Sequence, residues 1–112
     1  MHTIAEMPEF SRNATGLLSA LEVQALISHL AEHPCAGVLI AGTGGIRKLR
    51  WAREGMGKSG GVRVIYYYHD ERIPLYLLSI FGKNQKSNLS KAEANELSKL
   101  VTVLVKTAGV KS

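Results

Sequence analysis

Apolar residues recur at Val23, Leu26, Ile27 and Leu30, the spacing of one face of a helix. Ser19 and Glu22 stand just ahead of them as a capping box, each side chain placed to bond the other's backbone amide. The His33-Pro34 pair ends the run, because the residue before a proline is pushed out of helical backbone. The same signature returns near the C-terminus, where Ser90 and Glu93 precede a stripe of Leu97, Leu100, Val101 and Leu104. Between these helices the period changes from that of a helix to two. Residues 46–54 alternate Lys48, Arg50 and Ala52 with Leu49 and Trp51, which reads as a strand with one basic and one apolar face. Residues 62–69 are rich in β-branched and aromatic side chains, and residues 73–81 are apolar on both faces, as in a central strand covered on both sides. Asp70-Glu71-Arg72 is a tight link that predicts an antiparallel hairpin. Residues 2–7 add a short strand, and Pro8 to Leu17 a helical or turn-like segment broken at Gly16. The predicted order is β-α-α-β-β-β-α. This is an α+β fold, a small antiparallel β-sheet with helices packed on one face, in a single domain over residues 1–112.

Composition narrows the classes of function. With 112 residues the chain has room for one core, and 46% hydrophobic residues suffice to fill it. The net charge of +5 conceals an uneven distribution. Residues 1–45 hold one basic residue against four acids, and residues 46–112 hold thirteen against five, so a segment of −3 precedes one of +8. Six cations (Arg47, Lys48, Arg50, Arg53, Lys58, Arg63) face a single acid, Glu54, between positions 47 and 63, which points to an anionic partner. Cys35 is the only cysteine, so an intrachain disulfide and a multi-cysteine zinc site are both excluded. No apolar run approaches the roughly 20 residues of a membrane span, and no signal-peptide pattern opens the chain. A cytoplasmic protein with no membrane partner is expected.

The familiar motifs do not hold up. Residues 55–60 match G-x-G-x-x-G, and Gly57-Lys58-Ser59 looks like the end of a P-loop, but both motifs need a strand leading into a helix whose amides hold phosphate. Here the glycines join two strands, with Lys58 placed to meet a phosphate backbone. The four histidines are scattered, Asp70 and Glu71 share a turn, and no serine sits on a nucleophile elbow, so metal, carboxylate-pair and serine chemistry find no support. What remains is the basic strand face. Lys48, Arg50 and Arg63 converge there if the register allows, and Tyr67 shares the parity of Arg63, a pairing that suits RNA phosphates and stacked bases.

Three blocks carry a resemblance: Gly42-Thr43-Gly44-Gly45-Ile46-Arg47-Lys48-Leu49-Arg50, then Gly60-Gly61-Val62-Arg63-Val64-Ile65-Tyr66-Tyr67, then Tyr76-Leu77-Leu78-Ser79-Ile80-Phe81-Gly82-Lys83-Asn84. Together they resemble the RelE/ParE superfamily of bacterial toxins, and closely its HigB-type branch. The resemblance implies the toxin of a type II toxin-antitoxin pair that cleaves translated mRNA in the A site of the 30S ribosomal subunit, with no metal or other cofactor. The ribose 2′-OH attacks the adjacent phosphate, leaving a 2′,3′-cyclic phosphate and a 5′-OH. It further implies Lys48, Arg50, Arg63 and Lys83 as catalytic residues, with Arg47, Arg53, Lys58, Tyr67, Asn84 and Lys86 as RNA contacts. Asn84 stands where the RelE pattern has an arginine and Ser90 where it has a tyrosine, so the resemblance does not assign the acid and base. The implied partners are mRNA, the ribosome and a cognate antitoxin of helix-turn-helix type. A ParE-type toxin that inhibits DNA gyrase by protein contact is the alternative.

Overall fold

The computed structural model describes residues 3–53, 57–86 and 88–109. Strand β1 (Ile4–Glu6) runs into α1 (Pro8–Thr15), whose first residue is a proline, suited there by its fixed φ and missing amide. Helix α2 (Ala20–Glu32) carries the predicted box: Ser19 Oγ accepts from Glu22 N at 3.1 Å, and Ser19 N donates to Glu22 Oε1 at 2.9 Å. Strands β2 (Val38–Leu39), β3 (Ile46–Arg53), β4 (Gly57–Tyr67) and β5 (Leu75–Gly82) follow, then α3 (Lys91–Thr107), capped by Ser90 and Glu93 as its sequence requires.

The strands form one sheet in the order β1-β5-β4-β3-β2. The β3-β4-β5 meander is antiparallel, as the hairpin signals predict. Two strands extend it in ways the pattern does not reveal. β1 pairs with β5 in parallel, so the sheet is mixed, and β2 adds a fourth antiparallel member only two residues long. β4 begins at Gly57 rather than at residue 62, because Arg53 pairs with Gly57 and the ladder continues through glycines that read as a connector.

Helix placement corrects the expectation of one covered face. α1 and α2 pack on one side, with Phe10, Leu26 and Leu30 against Val62, Val64, Tyr66, Leu75 and Leu77. α3 packs on the other, with Val101 and Val105 against Ile46, Ile65, Tyr67, Leu78 and Phe81. The physical reason lies in β5. A strand apolar on both faces leaves a hydrophobic surface in water unless helices cover both sides, and the apolar stripe of α3 covers the second.

Between α2 and β2 the chain is fastened by side chains. Tyr66, fully buried, donates its hydroxyl to Pro34 O and accepts from Gly37 N, both at 2.8 Å. The ring comes so close that a Cβ on Gly37 would lie 2.8 Å from Tyr66 Cε1. Position 37 has space for glycine alone.

Candidate functional site

α3 covers one face of the sheet, packing with Ile46, Ile65, Tyr67, Leu78 and Phe81, and its Ser98 Oγ donates to Thr43 O at 3.1 Å. The register carries the same face onward. Lys48 lies opposite Ile65, Arg50 opposite Arg63, and Arg63 opposite Phe81 on β5. Directly paired residues share a face, so Lys48, Arg50 and Arg63 project on the α3 side. Arg50, Trp51, Ala52, Arg63 and Lys83 line a cavity of about 290 Å³. Lys83 is positioned by its own backbone, whose amide donates to Gly61 O at 3.2 Å and so prolongs the β4-β5 ladder past Gly82.

The electrostatics of this recess are unusual for so small a protein. Arg63 is only 6% exposed, and its Nη1 donates to Val62 O at 3.4 Å. Among the described residues no carboxylate forms an ion pair with Arg50, Arg63 or Lys83. A buried guanidinium is normally matched by an anion, since an unmatched charge is costly to remove from water. Three cations around one opening suit a phosphate.

The other candidate residues are placed differently. Lys48 Nζ donates to Asn88 Oδ1, a neutral partner, and forms no ion pair among the described residues. Asn88 reaches it from forty residues along the chain, and no spacing in the sequence marks it. Arg47 lies on the opposite face, where its guanidinium donates to Gly37 O at 2.7 Å and Cys35 O at 3.2 Å, and its strand parity separates it from Lys48 and Arg50. Tyr67 shares the face of Arg63 but is buried under α3, its hydroxyl 2.9 Å from His69 Nδ1, which leaves no ring surface for a base. Lys86 pairs with Glu93 and lies 4.8 Å from the Phe81 ring centroid, so its charge is already matched. Asn84 is exposed in the turn after Gly82. Ser90 is occupied as the cap of α3. The side chains of Arg53 and Lys58 lie outside the described residues.

Among the described residues no three His, Cys, Asp or Glu side chains gather where they could hold an ion. Nor, among those residues, is any helix long and apolar enough to cross a membrane. A family model described as the RelE toxin of the RelE/RelB toxin-antitoxin system matches residues 18–111, the span that contains both the meander and the cationic recess.

Proposed function

Because the chain belongs to the RelE toxin family and is therefore the toxin of a toxin-antitoxin pair, we propose that it acts as an endoribonuclease on translated mRNA, with the Arg50-Arg63-Lys83 recess as its phosphate site. The observation that carries this reading is Arg63: a buried guanidinium with no carboxylate paired to it among the described residues, opening on a cavity that it shares with two further cations.

In the reaction the ribose 2′-oxygen attacks the neighbouring phosphorus, the bond from phosphorus to the 5′-oxygen breaks, and a cyclic phosphate and a 5′-hydroxyl remain. Negative charge grows on the phosphoryl oxygens as the phosphorus becomes five-coordinate. Arg50 and Arg63, held across one strand pair, meet that charge from fixed positions, which lowers the barrier because the donors need no rearrangement. The 2′-hydroxyl must also lose a proton and the 5′-oxygen gain one. Arginine stays protonated throughout, so Lys48 and Lys83 are the groups at this site able to carry protons. The ribosomal A site contributes the rest: it holds the mRNA in the bent conformation that in-line attack needs, a service that a recess of about 290 Å³ cannot supply to a free strand.

Primer extension on a translated reporter mRNA, with and without ribosomes, tests the reading. Cuts in frame that require ribosomes support it. Intact mRNA accompanied by gyrase-dependent DNA breaks overturns it in favour of a gyrase inhibitor.

A further inference from the structure

Helix α2 ends on two histidines four residues apart, His29 in its last turn and His33 at its C-cap, a spacing that brings both side chains to one face. Their rings stand 5.1 Å apart, centre to centre, and the His29 ring also lies 5.3 Å from that of Trp51 on β3. Among the described residues no side-chain hydrogen bond or ion pair engages either imidazole. The two rings open on a cavity of about 490 Å³ that they share with Pro34, Cys35 and Ala36. The backbone of that turn is fixed, since Pro34 O accepts from the Tyr66 hydroxyl and Cys35 O from the Arg47 guanidinium.

Two imidazoles so spaced can chelate one ion. A ring nitrogen lies about 2.0–2.1 Å from a bound zinc ion, which sets each ring centre roughly 3.2 Å from the metal. With about 90–110° between the two ligands, the centres are roughly 4.5–5.2 Å apart. The observed 5.1 Å falls within that span. The electrostatic setting agrees, because the carbonyl end of a helix favours a cation and residues 1–45 carry −3. Imidazole selects divalent ions of the zinc and copper kind over calcium or magnesium, and copper(II) is bound most tightly. The carbonyls of Pro34 and Cys35 are already engaged, and no third His, Cys, Asp or Glu side chain joins the two rings among the described residues. Water or a donor from outside completes the coordination.

We propose that His29 and His33 form a two-ligand site for a divalent transition-metal ion at the C-terminal end of α2. The site stands apart from the nuclease reading, since neither histidine lines the cationic recess. Trp51 joins the two places: its ring meets His29, and the same residue lines the cavity of Arg50, Arg63 and Lys83. An ion that fixes the His29 ring therefore restrains one wall of the recess without touching the groups that face the phosphate.

The probe is copper(II), titrated into the whole protein and followed by the emission of Trp51, the only tryptophan, which a paramagnetic ion held by His29 quenches. Quenching is expected to saturate, and excess zinc(II), whose filled d shell does not quench, to restore the emission by displacement. His33→Gln, at an exposed position, is expected to weaken copper binding about tenfold or more, because one ligand of a chelating pair is lost. His29→Gln should do the same. The Met1-His2 terminus offers copper an amine and an imidazole of its own, but β5 and β4 separate β1 from β3, so His2→Ala is expected to leave the quenching of Trp51 unchanged. Cys35→Ser should leave it unchanged as well. Wild-type affinity in His33→Gln, or quenching that disappears in His2→Ala or Cys35→Ser, overturns the proposal and marks an adventitious ion only. None of these readouts involves cleavage, so the site stands or falls whatever the reporter assay returns.

Discussion

Arg50 and Arg63 are direct cross-strand partners, two guanidinium groups on the same face of the β3-β4 pair. Like charges so placed destabilise a sheet by roughly 0.2–1 kcal/mol, and Arg63 adds the cost of a buried charge that has no ion-pair partner among the described residues. Such an arrangement opposes folding, and the proposed phosphate site gives it a function. Arg63→Met, which keeps the volume and removes the charge, is therefore expected to raise stability in urea by about 1 kcal/mol while lowering ribosome-dependent cleavage by about 100-fold or more. A variant that loses both would make Arg63 a structural residue.

Lys83 and Lys86 lie three residues apart in one turn and have opposite circumstances. Lys83 is exposed and lines the recess, whereas Lys86 is bound to Glu93, whose carboxyl it holds below the usual glutamate range. Lys83→Ala is expected to reduce kcat/KM for cleavage by about tenfold or more, the order of a lost charge-assisted contact. Lys86→Ala should change it by less than about threefold, because the charge removed there is already matched and surface pairs contribute little. Equal losses in the two variants would place the RNA path over the turn as a whole.

Local chemistry was the most legible part of this chain. Both capping boxes are set by residues three apart, and they appear in the structure with the hydrogen bonds that the spacing calls for. The strand parity of Lys48, Arg50 and Arg63 is equally local, and the register brings the three to one face. What could not be read depends on partners far along the chain. The parallel pairing of β1 with β5 joins Ile4 to Leu75, and nothing in a three-residue strand encodes its direction. The burial of Tyr67 follows from which face α3 covers, a choice made by β5 and not by the tyrosines. Lys48 finds Asn88 by the same long route.

Tyr66 joins the sheet to the α2-β2 connection through one oxygen, and burial pushes its phenol above the ordinary tyrosine range. Tyr66→Phe leaves Gly37 N buried with no acceptor, which is expected to cost about 1–3 kcal/mol. Gly37→Ala should be destabilising for a different reason, since its Cβ would lie 2.8 Å from the ring and 3.0 Å from Lys48 O. Combining the two tests whether they report one contact: denaturant midpoints of the double variant are expected to fall by less than the sum of the single ones. Additive losses would mean that the ring and the glycine are held independently.

Asp70 is fully engaged by Arg72, which donates Nη2 at 2.6 Å and Nε at 2.9 Å to Oδ2 and its backbone amide at 2.8 Å to Oδ1. The side-chain bonds from Arg72 lower the Asp70 pKa from 3.8 to about 2, with the backbone bond next in importance. A carboxyl whose folded pKa is depressed contributes stability that is present in full above its unfolded value and is lost as pH falls through the folded one. The β4-β5 link is therefore expected to keep this contribution above about pH 4 and to lose it as pH falls from 3.8 toward about 2. The carboxyl carbon of Asp70, followed by NMR, should titrate near the lower value. In Arg72→Ala the midpoint should move back only part of the way to 3.8, because the backbone amide at position 72 still donates. The stability difference between the two proteins should shrink over the same interval and vanish once both carboxyls are protonated. A difference that persists below it would mean that Arg72 supports the turn by packing and not through Asp70.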